Sequence, residues 1–140
     1  MTRESPAIEV DVSLSGQRVV TVLERLAYTD GLPKMLFVDN GPEFTSKALD
    51  AWAHGHGVKL AFSRPGMPTD NPFIEAFTAR VREACLKQYW FSSLEEARTT
   101  IEAWRVEYNT ERPHTALHNQ APAVYKASWI QAQEILNAND

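Results

Sequence analysis

The order of elements along the chain predicts an α/β layer built on a largely parallel sheet. Three observations carry that expectation. Two short apolar runs, KMLFV at 34–38 and VKLAF at 58–62, read as strands. Each follows a stretch whose apolar residues recur at helical spacing. A period-2 stretch, AIEVDVSL at 7–14, stands ahead of both as a third strand.

In that first stretch Ile8, Val10, Val12 and Leu14 alternate with polar neighbours, as in a half-buried strand that Gly16 ends. Val19, Val22, Leu23 and Leu26 then fall on one face of a helix, which Pro33 stops. The run 34–38 has no polar alternation and is expected to be covered on both faces. A second helix should carry Phe44, Ala48 and Trp52 and end at HGHG, where Gly55 or Gly57 can take a left-handed C-cap.

After the strand at 58–62, the stretch SRPGMPTDNP at 63–72 is a loop crowded with Pro, Gly, Asp and Asn. Asn71 suits an N-cap and Pro72 a first helical position for a long helix. Ile74, Phe77, Val81 and Cys85 are its apolar face, with Cys85 expected in the core. Ser93 and Glu96 are spaced as a capping box for a helix with the stripe Leu94, Ala97, Ile101, Trp104 and Tyr108. The rest, RPHTALHNQAPAVYKASW, is expected to be mostly loop with weak helix at its end.

At 140 residues the chain is long enough for one compact domain. Its single cysteine excludes an internal disulfide and fits a reducing compartment. No apolar run approaches the roughly 20 residues of a membrane span, and MTRESPAIEV lacks the basic start of a secretory signal. A cytoplasmic location with no membrane partner is the expectation. The formal net charge is −4, and Glu95, Glu96, Glu102, Glu107 and Glu111 hold most of the acidic excess. That balance argues mildly against avid nonspecific nucleic-acid binding and leaves a local site open.

Asp39 stands where the second apolar run stops, at the head of DNGPEF. Read alone, Asp39 and Asn40 are good turn formers, with Gly41 and Pro42 completing the turn. Glu75 follows after 35 intervening residues, on the edge of the long helix beside Thr78 and Arg82, with Arg80 further round. Read alone, Glu75 is a solvated carboxylate at a helix N-terminus. The functional alternative is that both face one site. Carboxylates brought together repel unless a hard cation shares them, and Mg²⁺ takes one or two carboxylates plus phosphate oxygens.

The segments VDNGPEFTSKALDAWA, RPGMPTDNPFIEAFTARVREACL and AWRVEYNTERPHTAL resemble the catalytic core of insertion-sequence transposases, the D,D-35-E group related to retroviral integrases. The resemblance runs from about Thr2 to about Tyr125. It implies a ribonuclease H-like integrase core at 1–125, followed by a C-terminal tail at 126–140. It implies three carboxylates that hold two Mg²⁺ or Mn²⁺ ions, with Asp39 as the second and Glu75 as the third. Gly41 and Glu43 match turn positions of structural support. Arg82 matches a basic position facing DNA, and Arg80, Thr78 and Arg64 are expected to join it there.

The match is incomplete. The family's first Asp belongs to a strand ahead of the matched region, and Asp11, the nearby alternative, aligns with a different strand. The first two strands of the resembled sheet are lacking, which leaves one edge of the 34–38 strand unpaired. Met67, Ala76, Thr78 and Ala79 replace residues usual in relatives. The resemblance therefore implies a fragment of a DNA transposase, inactive alone and either marginally stable or self-associating. The alternative is a noncatalytic remnant that binds DNA or a full-length transposase. His54, His56, His114 and His118 are expected to be structural, and the four tryptophans to pack rather than stack on bases.

Overall fold

The computed structural model describes residues 1–67 and 70–140. Five α-helices and two strands are described: α1 Gly16–Asp30, β1 Met35–Val38, α2 Lys47–His56, β2 Lys59–Phe62, α3 Pro72–Ala84, α4 Leu94–Thr110 and α5 Pro122–Ala138. They form two compact units, one of residues 11–90 and one of residues 1–10 with 91–140.

In the unit of residues 11–90, β1 and β2 pair in parallel, with Met35 opposite Lys59 and Val38 opposite Phe62. Both α1 and α2 begin where a hydroxyl can take an orphan amide. Ser15 Oγ accepts from Arg18 N and caps α1, while Ser46 Oγ accepts from Leu49 N and caps α2. Gly57, at φ 67°, closes α2 in the left-handed conformation expected at HGHG. Val20, Leu49, Trp52, Ala53 and Val58 make the core, with Leu36 and Leu60 of the sheet packed against it.

Several expectations change here. The 7–14 stretch is not a strand. The described sheet has two strands, and an extended segment without a ladder partner has nowhere to place its amides. Gly16 ends no strand; it opens α1, so close to α2 that a Cβ would lie 2.0 Å from Ser46 Oγ. Phe44 lies in the turn before α2. β1 is covered on one face only, since Phe37 is 63% exposed while Val38 is buried. Its outer edge has no ladder partner among the described residues, as expected of a sheet lacking two strands.

The apolar face expected on α3 is also largely open. Ile74 is exposed, Phe77 and Val81 are half-buried, and Cys85 just past the helix is buried. Asn71 is the N-cap residue, but its side chain makes no cap bond. Of the 63–72 loop, Pro68 and Thr69 lie outside the described residues.

In the other unit, α4 buries Ala97, Ile101, Trp104 and Tyr108, the stripe read from the sequence. Ser93 Oγ caps Glu96 N at 3.0 Å, but Glu96 Oε2 accepts from Ser92 N rather than closing the box on Ser93. The weak helix expected at the end of RPHTALHNQAPAVYKASW is α5, 17 residues that begin earlier, at Pro122, and run on across the 125/126 boundary to Ala138. The first residues are tied to α4 through side chains. Tyr108 Oη donates to Arg3 O, Arg105 Nη1 to Ser5 O, and Arg98 Nε to Val10 O. The last of these bonds occupies a carbonyl that a strand at 7–14 would have offered to a ladder. His114 Nε2 lies 2.9 Å from Tyr108 Oη, and Arg112 sits over the Trp104 ring, so this part of RPHTAL packs.

Candidate active site

Asp39 is the first residue beyond β1. Its Oδ1 accepts from Gly41 N at 2.9 Å, closing the tight turn that Asn-Gly-Pro suits. Gly41 O in turn accepts from Phe44 N and Thr45 N. A Cβ at Gly41 would lie 2.6 Å from Glu43 Oε1, the end of a flexible side chain that can move aside. Asn40 Nδ2 donates to Ser63 O, and Ser63 N donates to Val38 O at 2.9 Å. The turn after β1 is thereby tied to the first residue after β2.

Glu75 lies in the first turn of α3, where the helix N-terminus favours a carboxylate. Glu75, Thr78 and Arg82 recur at helical spacing and line an open cleft of 670 Å³ with Asp39, Asn40 and Phe37. Arg64 lines it as well, whereas Arg80, exposed on α3, does not. Of the residues expected at the site, Asp39, Glu75, Thr78, Arg82 and Arg64 line this cleft and Arg80 does not. Asp11 is not part of the lining; it pairs with Arg18 at 3.1 Å.

The two arginines of the cleft differ. The Arg82 side chain has no hydrogen bond or ion pair among the described residues. Arg64 gives a fork to Asp70, Nε to Oδ2 at 2.9 Å and Nη2 to Oδ1 at 2.8 Å, and its backbone N also donates to Oδ2. Those bonds hold the Asp70 carboxyl at about 2, well below its usual range, the side-chain bonds from Arg64 leading. A guanidinium so engaged is a poorer phosphate ligand than a free one. Sequence reading missed this pair, since a Pro/Gly loop has no periodicity that brings residues six apart together.

Two carboxylates on one cleft suit a hard cation that takes the rest of its ligands from water and phosphate. Among the described residues no three His, Cys, Asp or Glu side chains form a metal-holding group.

Residues 1–68 and residues 56–122 each match the family described as integrase core domain. The chain is 46% identical over 126 residues to the insertion element IS407 uncharacterized 31.7 kDa protein of Burkholderia multivorans, covering 90% of this chain and 46% of that protein. It is 43% identical over 137 residues to the insertion element IS476 uncharacterized 39.2 kDa protein of Xanthomonas euvesicatoria, covering 98% and 39%. A 27% identical match over 89 residues is the transposase for insertion sequence element IS904 of Lactococcus lactis, at 63% and 35% coverage. The chain spans less than half the length of these relatives. Among solved structures, a chain of the simian T-cell lymphotropic virus intasome in complex with PP2A regulatory subunit B56 gamma superposes with a TM-score of 0.65. The identity is 13%, and the match covers 80% of this chain and 40% of that one. At that identity the likeness is one of fold.

Proposed function

The chain belongs to the integrase core family carried by insertion elements, and on that premise we propose that it is the cation- and DNA-holding part of a transposase core. The observation that carries this reading is the shared cleft of Asp39, Glu75, Thr78 and Arg82. Bound Mg²⁺ or Mn²⁺ supplies charge neutralisation and nucleophile activation for phosphodiester chemistry. Asp39 and Glu75 hold the ion, and Arg82 pairs with a DNA phosphate. Thr78 offers a hydroxyl to the same backbone, while Arg80 lies outside the cleft and contributes general attraction. A reducing, cytoplasmic setting fits this work.

The chain alone is inactive in cutting, because the described residues supply two carboxylates where the implied chemistry uses three. The test is a plasmid-nicking assay beside a DNA filter-binding assay, each with and without Mn²⁺. The expected result is Mn²⁺-strengthened binding without nicking, and loss of the Mn²⁺ effect in Asp39→Asn. Binding indifferent to Mn²⁺ contradicts the cation role; nicking abolished by Asp39→Asn contradicts inactivity.

A second reading, pairing with a full-length transposase, is favoured by the open edge of β1 and by Phe37, exposed beside it. Capture of an intact relative by the wild-type chain, and its loss in Phe37→Lys, supports that reading. Equal capture by both chains counts against it.

A further inference from the structure

We infer that Asn40 and the Arg64–Asp70 pair are positioning residues, which together fix where Glu75 stands relative to Asp39. The inference rests on the cation reading above and adds to it how the two ligands are held. The first-turn residues of α3, Pro72 to Glu75, are all exposed. A run of polar bonds connects this turn to the sheet. Asn40 Nδ2 donates to Ser63 O, and Ser63 N donates to Val38 O, joining the Asp39 turn to the start of the loop. The next residue, Arg64, holds Asp70 with three hydrogen bonds of 2.8 to 2.9 Å, joining the start of that loop to its end. Asn71 and Pro72 follow at once, and Glu75 N donates to Asn71 O at 3.3 Å.

The path therefore runs from one carboxylate to the other through side-chain bonds of Asn40, Arg64 and Asp70 and backbone bonds at Ser63 and Glu75. A bidentate guanidinium–carboxylate fork suits such a joint because it fixes orientation as well as distance. Arg64 thus works within the protein rather than on DNA. Groups that orient ligands in this way change metal affinity by roughly 10- to 100-fold when removed.

The test measures Mn²⁺ binding to the full chain without DNA, by the electron paramagnetic resonance signal of free Mn²⁺. Alongside it, amide hydrogen exchange is read at Glu75 and thermal midpoints are recorded. Asn40→Ala and Asp70→Asn are expected to weaken Mn²⁺ binding by roughly 10- to 100-fold and to speed exchange at Glu75 by more than any fall in the thermal midpoint accounts for. Arg64→Lys, which keeps the charge and loses the fork, should fall between them and wild type, and keeps the question answerable if Asp70→Asn fails to fold. Arg80→Ala, outside the cleft, should bind as wild type.

If these variants bind Mn²⁺ as wild type does while Asp39→Asn loses it, the positioning role is overturned and the cation reading stands. If wild type shows no saturable site, the cation reading fails. Exchange at Glu75 then decides the positioning role by itself, unchanged rates in Asp70→Asn overturning it.

Discussion

Ser5 and Asn109, 104 residues apart in sequence, exchange two hydrogen bonds: Ser5 N donates to Asn109 Oδ1 at 2.8 Å, and Asn109 Nδ2 donates to Ser5 O at 2.7 Å. Both residues are buried. Asn109→Ala leaves the Ser5 amide without its acceptor, while Arg105 still serves the Ser5 carbonyl. The expected loss is about 1–3 kcal/mol, read from the urea midpoint at constant slope. A loss under about 0.5 kcal/mol would mean that water replaces the bond.

Two glycines should respond to alanine with opposite signs. Gly16→Ala places a Cβ 2.0 Å from Ser46 Oγ, the group that caps α2, and should destabilise by about 1–3 kcal/mol. Gly55, inside α2 with nothing within 4 Å of an added Cβ, should gain about 0.5–1 kcal/mol as alanine. Thermal unfolding of both variants beside wild type reads the signs directly.

The Arg64–Asp70 pair makes a pH-dependent contribution of known sign. Because the folded Asp70 pKa, about 2, lies below the ordinary value of 3.8, its stabilisation is present above 3.8 and lost as pH falls through about 2. Well above that range, wild type and Asp70→Asn should differ by a constant amount. As pH falls through it, the difference should shrink as Asp70 protonates. A gap that widens toward low pH would contradict the assignment.

Arg82 and Arg64 should separate in DNA binding. Arg82→Ala is expected to weaken binding across sequences and to reduce the salt slope by about 1, the change for removing a single phosphate-pairing charge. Arg64→Ala should leave that slope near wild type, because its guanidinium is already held by Asp70. Equal slope changes in both variants would restore Arg64 to the DNA interface.

The strands at 34–38 and 58–62, the C-cap at Gly57 and the buried stripe of α4 were legible because each rests on local periodicity or a terminal residue. Asp39 and Glu75 line one cleft, a placement that the resemblance carried by their flanking motifs implied and that neither residue read alone would give. What the residues did not reveal depends on partners. Alternation in Ile8, Val10, Val12 and Leu14 says which faces could be buried, but a strand needs a neighbour to receive its amides. Of α5 only a weak helix at the end of the tail was expected; its start at Pro122 and its 17-residue length were not, because its apolar pattern is weak. Asp70 reads as a turn former until folding brings it to Arg64.

Whether the two carboxylates share one ion is decided by Mn²⁺ binding to wild type, Asp39→Asn, Glu75→Gln and the double variant. One saturable site is expected in wild type, with binding weakened at least about tenfold in either single variant and little further loss in the double, as for coupled ligands. Single variants that bind as wild type, or losses that simply add, would contradict it.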